Sequence, residues 1–122
     1  MGQPELVADY VAAMMGATRM PVSVKHRLGI DHQDDYAHMA TFVRTIAATG
    51  CRPFTIHARK AWLQELSPKE NRNVPPLRYG DVYRLKQALP HLWIKINGGI
   101  KTLSQAQTHI KQVDAVMMGC KA

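Results

Sequence analysis

The apolar spacing of this chain switches repeatedly between a helical period and short continuous runs, and that alternation leaves few folds open. In PELVADYVAAMMG, the residues Leu6, Val7, Tyr10, Val11, Met14 and Met15 recur on one helical face. Pro4 suits the first turn of that helix, and Gly16 is placed to end it. Pro21 opens VSVKHRLGI, which reads as a strand. Tyr36, Met39, Ala40, Val43, Ile46 and Ala47 mark a second amphipathic helix, stopped by Gly50. FTIHA at 54–58 is a second strand. A third helix carries Val82, Leu85 and Leu89 and ends at Pro90, and LWIKIN at 92–97 is a third strand. Thr102 and Gln105 form a capping-box pair that opens a fourth helix running to about Gln112. VDAVMMG at 113–119 supplies the fourth strand. A helix followed by repeated strand–helix units predicts parallel strands joined by right-handed crossovers. The strands are short and rich in Val and Ile, as strands buried on both faces tend to be.

A free-standing doubly wound domain usually packs a helix over its terminal strand. Here the chain opens on a helix and stops after a strand, which leaves two unpaired sheet edges. The expected fold is α/β, a partial (β/α)8 TIM barrel of about four strand–helix units. With 122 residues, 46% of them hydrophobic and 20% charged, the chain fits one globular domain. No apolar run reaches the roughly 18 residues of a membrane helix. The N-terminus MGQPELVADY lacks the basic and apolar regions of a secretory signal. Two cysteines without metal spacing, beside seven methionines, favour a reducing compartment, and a cytoplasmic location is expected. The net charge of +7 favours polyanionic partners.

In parallel α/β proteins ligands meet the C-terminal ends of the strands. Four groups fall there. Lys25 and His26 point to opposite faces of the first strand, with Arg27 beyond. Lys25 either meets an anionic or electron-rich ligand or reaches solvent from the barrel mouth. His57 ends the second strand and is followed by Arg59. Asn97, Gly98 and Gly99 follow the third strand and precede a capped helix, where glycines let backbone N–H groups approach a phosphate. Gly119 follows the fourth strand, and two consecutive strands ending in glycine suit the phosphate site of a barrel. Cys120 comes next, near any ligand held there. Cys51 sits at a strand entrance and reads as a buried small hydrophobe. Asp31, Asp34 and Asp35 are explained by helix capping. There is no metal motif and no nucleophile elbow.

The stretch HARKAWLQELSPKENRNVPPL at 57–77 combines cations with a tryptophan and two stiffening prolines. Together with VSVKHRLGID, KINGGIKT and DAVMMG it resembles the tRNA-dihydrouridine synthases of the A subfamily, over essentially the whole chain. The resemblance implies the second half of an FMN-binding catalytic barrel, with residues 1–122 lacking the first strands and the helical tRNA-binding domain. It implies flavin-dependent reduction of uridine to 5,6-dihydrouridine in the tRNA D-loop, with NADPH as electron donor and tRNA as partner. Lys25 then matches the lysine on the flavin ring, and His57 the histidine beside it. Asn97, Gly98, Gly99 and Gly119, with Cys120, match the phosphate cradle. Arg59, Lys69 and Arg72 lie where the family meets tRNA. The family's cysteine acid belongs to an upstream loop, so no residue here matches it. Gly119-Cys120-Lys121-Ala122 also departs from the usual Gly-Arg pair followed by Ala.

Two other classes remain open at this stage. One is a basic RNA-binding or degenerate piece without flavin, and the other is an FMN- or phosphate-binding barrel acting on a small metabolite. As a lone piece the chain is expected to be inactive and to need the missing half of its barrel.

Overall fold

The computed structural model describes residues 1–64, 66–73 and 75–119. Along the chain run α1 (Pro4–Ala17), β1 (Val24–Arg27), α2 (Tyr36–Ala47), β2 (Pro53–His57), α3 (Pro68–Asn73), α4 (Tyr79–Ala88), β3 (Trp93–Asn97), α5 (Leu103–Ile110) and β4 (Ala115–Met117). The four strands form one parallel sheet in sequential order. Each step to the next strand therefore needs a crossover, and α2, α4 and α5 supply it. This is the arrangement expected of a partial barrel.

The helices start where their chemistry allows. Asp35 caps α2 by accepting from the His38 N–H at 2.8 Å. Thr102 and Gln105 form the reciprocal capping box of α5. Alternation along the strands puts Phe54, Ile56, Ile94 and Ile96 on one face, in a core shared with Met39, Val43 and Ile46 of α2 and Val82 and Leu85 of α4. Burying each such side chain contributes about 1.5–3 kcal/mol. Cys51 is fully buried at the entrance to β2, with its thiol near the Val22 carbonyl.

Three expectations need correction. The strands are apolar on one face only: the other carries Lys25, Thr55, His57, Lys95 and Asn97, of which Thr55 and Asn97 are buried as polar residues. The apolar stripe of α1 is wider than its contact: Ala8 and Val11 are buried, whereas Leu6, Tyr10 and Met14 face solvent. The basic loop is not wholly irregular, since Pro68–Asn73 forms α3. The aspartates divide as well. Asp35 caps a helix, but Asp34 pairs with Lys60 and Arg78 across loops.

Candidate functional site

One row of residues crosses the C-terminal edge of the sheet. Arg27, His57, Asn97 and Met117 are register partners on successive strands. Lys25, two residues before Arg27, shares its face and is exposed, while His26 turns the other way into the core. Asn97 is buried and fastens two strand ends, with its amide donating to the Met117 carbonyl at 2.9 Å and its own carbonyl accepting from the Ala58 N–H at 2.9 Å.

The β3 exit turns on two glycines in the left-handed region, Gly98 (φ 110) and Gly99 (φ 66). Both are closely hemmed. A Cβ on Gly98 would lie 3.1 Å from the His57 ring, and one on Gly99 would lie 2.6 Å from a Leu77 methyl carbon. The Tyr79 hydroxyl donates to the Gly98 carbonyl at 2.6 Å. Among the described residues, neither the Gly99 nor the Ile100 backbone N–H donates to any acceptor. Gly119 is exposed with open space around its Cα. Cys120 lies outside the described residues, as does Lys121.

His57 is half-buried against this turn, and its Nδ1 is buried without a partner among the described residues. Its pKa is pushed down to about 4, first by desolvation and then by Arg27, Arg59 and Lys25. It is therefore a neutral imidazole at pH 7 amid cations. Burial also lowers Arg27, with further repulsion from Arg59 and Arg72. None of the ion pairs among the described residues involves Lys25, Arg27, Arg59, Lys69 or Arg72.

Backbone carbonyls hold two of these guanidinium groups in place. Arg27 Nη1 donates to the Asn71 carbonyl at 2.6 Å, and Arg59 Nε donates to the Pro75 carbonyl at 2.8 Å. Asn71 is buried, and its side chain accepts from the Trp62 N–H and donates to the Trp62 carbonyl, both at 2.8 Å. An open cavity of about 360 Å³ results, lined in part by Arg27, Trp62, Leu66, Asn71 and Arg72. Trp62 has Lys60 Nζ 3.6 Å from its ring centroid, and His32 meets it edge-on. Lys60 in turn donates to the Asp31 carbonyl at 2.9 Å. The tryptophan and Lys60 thus build the loop, whereas Lys69 and Arg72 remain exposed on its surface.

The expected residues Lys25, His57, Asn97, Gly98 and Gly99 lie along one edge of the sheet. Arg59 is adjacent but half-buried and already bonded. Sequence reasoning gave Arg27 no role and missed Asn71 altogether. Alternation on β1 was the available signal for Arg27, because a second cation two residues after Lys25 must share its face.

The donor set fits a phosphorylated, flat-ringed cofactor such as FMN. Two unpaired N–H groups sit on a glycine turn that a Cβ would fill, and a neutral histidine with an orphaned nitrogen adjoins it.

The family model "Dihydrouridine synthase (Dus)" matches residues 1–122. A Synechocystis sp. protein named tRNA-dihydrouridine(20/20a) synthase is 60% identical over 119 residues, covering 98% of this chain and 36% of that protein. Proteins of the same name from Shewanella oneidensis and Yersinia pestis are each 57% identical, covering 100% of this chain and 36% of their own length. The chain thus spans about a third of the length of these curated relatives. Matched from end to end by the family model, the chain belongs to the dihydrouridine synthase family.

Proposed function

We propose that this chain contributes one side of the flavin and RNA site of a tRNA-dihydrouridine synthase, an oxidoreductase that reduces uridine in tRNA to 5,6-dihydrouridine in the cytoplasm. In this reading residues 1–122 are the later part of the catalytic barrel domain. The observation that carries it is the convergence, at one sheet edge, of the N–H groups of Gly99 and Ile100, the Nδ1 of His57 and the cations Lys25, Arg27 and Arg59, for none of which the described residues supply an N–H acceptor, a ring partner or a carboxylate respectively. The chemistry supplied at this edge would be that of bound FMN, a hydride donor to the uracil that NADPH would re-reduce.

Gly98 and Gly99 bring backbone donors to the phosphate, with Asn97 fixing the turn and Gly119 completing the cradle, to which the family resemblance adds Cys120, outside the described residues. His57, held neutral, offers a hydrogen bond beside the ring without adding charge. Lys25, reaching out from the sheet, faces the ring and compensates negative charge on it. Arg59, Lys69 and Arg72 meet RNA phosphates, Arg59 through the guanidinium nitrogens that Pro75 leaves free. The proton for the uracil comes from a cysteine outside this chain.

The second reading, RNA binding without flavin, is favoured by one observation: the cavity between Arg27 and Arg72 does not include the glycine turn. Gel filtration of the chain after mixing with FMN separates the two. A flavin band that travels with the protein is expected, and its loss in Gly99→Ala would assign it to this turn. A colourless chain that still retards tRNA in a gel would overturn the flavin reading and leave the second.

A further inference from the structure

We propose that Tyr79 is the positioning residue of the glycine turn, aiming the Gly99 N–H at the phosphate by holding the carbonyl on the other side of the same peptide. The inference rests on the flavin reading above and goes beyond it, because that reading gives Tyr79 no role.

A trans peptide is planar, so its C=O and N–H point in opposite directions. Whatever grips the Gly98 carbonyl therefore sets the direction of the Gly99 N–H. Tyr79 Oη grips it at 2.6 Å from the start of α4. That matters at Gly98 and Gly99 more than elsewhere, because two consecutive glycines have little intrinsic preference for one conformation. Leu77, just before α4, closes on the same turn, with its methyl carbons 3.1 and 2.6 Å from where Cβ atoms on Gly98 and Gly99 would stand.

Tyr79 is itself held in place. The His109 ring from α5 meets it edge-on at 4.4 Å between centroids, and His109 Nδ1 is hydrogen-bonded to the Tyr83 hydroxyl one turn along α4. His109 is buried, and burial lowers its pKa, which keeps this hydrogen bond to a neutral ring. Tyr79, Tyr83 and His109 thus brace α4 against α5 behind the turn, and only the Tyr79 hydroxyl reaches the turn's backbone. Tyr83 serves as a control within the same cluster.

The test compares dissociation constants for FMN and for riboflavin, which shares the ring and lacks the phosphate. With Tyr79→Phe the FMN constant is expected to rise about tenfold, of the order of one hydrogen bond to a charged group. Riboflavin affinity should be unchanged, and Tyr83→Phe should leave the ratio of the two as in the wild type. Equal losses for both ligands would make Tyr79 ordinary scaffold and overturn the inference, as would no loss for either.

Inorganic phosphate added to the unsubstituted chain is expected to move the Gly99 and Ile100 amide resonances. If they stay fixed while FMN binds, the inference is overturned even if Tyr79→Phe does not fold. A wild-type chain that binds neither flavin nor phosphate overturns the flavin reading itself. A chain that binds FMN with an unchanged ratio in Tyr79→Phe overturns only the role of Tyr79.

Discussion

Two glycines near the site separate the requirements of folding from those of binding. Gly29 needs its hydrogen because of backbone: a Cβ there would lie 2.1 Å from the Gln33 carbonyl oxygen and 2.6 Å from the Asp34 Cα. Neither atom can move without opening the loop after β1. Gly29→Ala is therefore expected to cost about 3 kcal/mol or more, read from the urea midpoint. At Gly99 the obstacle is the end of the Leu77 side chain, which can rotate, so the main cost is the left-handed conformation, about 1–2 kcal/mol. Gly99→Ala should thus unfold the chain less than Gly29→Ala and damage FMN retention more. His26 adds a pH dependence. It is buried between Phe42 and Phe54, its Nδ1 donates to the Arg27 carbonyl at 2.7 Å, and desolvation pushes its pKa down to about 4. The unfolded chain takes up a proton near pH 6.5 and the folded chain only near 4, so stability is lost as pH falls through that window, by on the order of 3 kcal/mol. Urea midpoints between pH 7 and pH 4 should fall steeply for the wild type and less for His26→Leu. Parallel curves for the two proteins would remove His26 as the source.

At the level of elements, α3 and the loop around it show where sequence reading stopped. Helices α1, α2 and α4 were legible because each carries apolar residues at helical spacing, α5 because of its Thr102–Gln105 capping box, and the strands because their runs are short and bounded by Gly or Pro. SPKENRN has no apolar periodicity and reads as loop. Its signal was the cap: Ser67 Oγ accepts from the Glu70 N–H at 3.2 Å, and Glu70 Oε1 accepts from the Ser67 N–H at 3.0 Å, ahead of a proline in the first turn. His57, Gly98 and Gly99 were found because strand ends are visible in sequence. The Arg27–Asn71 contact joins residues 44 apart in sequence and depends on the fold, so no local pattern encodes it. Asn71 is what ties α3 to Trp62. Asn71→Ala leaves the part-buried Trp62 N–H and C=O without their shared partner and should cost about 1–3 kcal/mol. Because Arg27 bonds to the Asn71 backbone carbonyl, the same change should also loosen the cavity. In a Trp93→Phe background, Trp62 fluorescence is expected to shift to the red. An unchanged spectrum with unchanged stability would mean that the loop is held by Lys60 and Asp34 instead.

At the level of the whole molecule, the sheet has two open edges beside apolar surface. Among the described residues β1 pairs only with β2, and β4 only with β3, so the outer backbone groups of both strands lack a ladder partner. Next to β4 an open groove of about 380 Å³ is lined in part by Leu103, Ala106, Ile110, Ala115 and Val116, with Leu103 76% exposed. Beside the opposite end of the sheet, α1 exposes Leu6, Tyr10 and Met14. Unpaired edges with apolar borders favour association, whereas the net charge of +7 opposes it through repulsion between copies. The balance fixes the sign of the salt effect: screening weakens the repulsion and leaves apolar burial intact, so association of the isolated chain should increase with ionic strength. Sedimentation velocity at low and high salt over a range of protein concentrations measures this directly. Leu103→Glu combined with Ile110→Lys should reduce association without changing helical content, since both side chains face solvent on α5. If those changes have no effect and Tyr10→Lys abolishes association, the sticky edge is β1. A chain that stays monomeric at high salt would mean that the edges are protected by their own charge and twist.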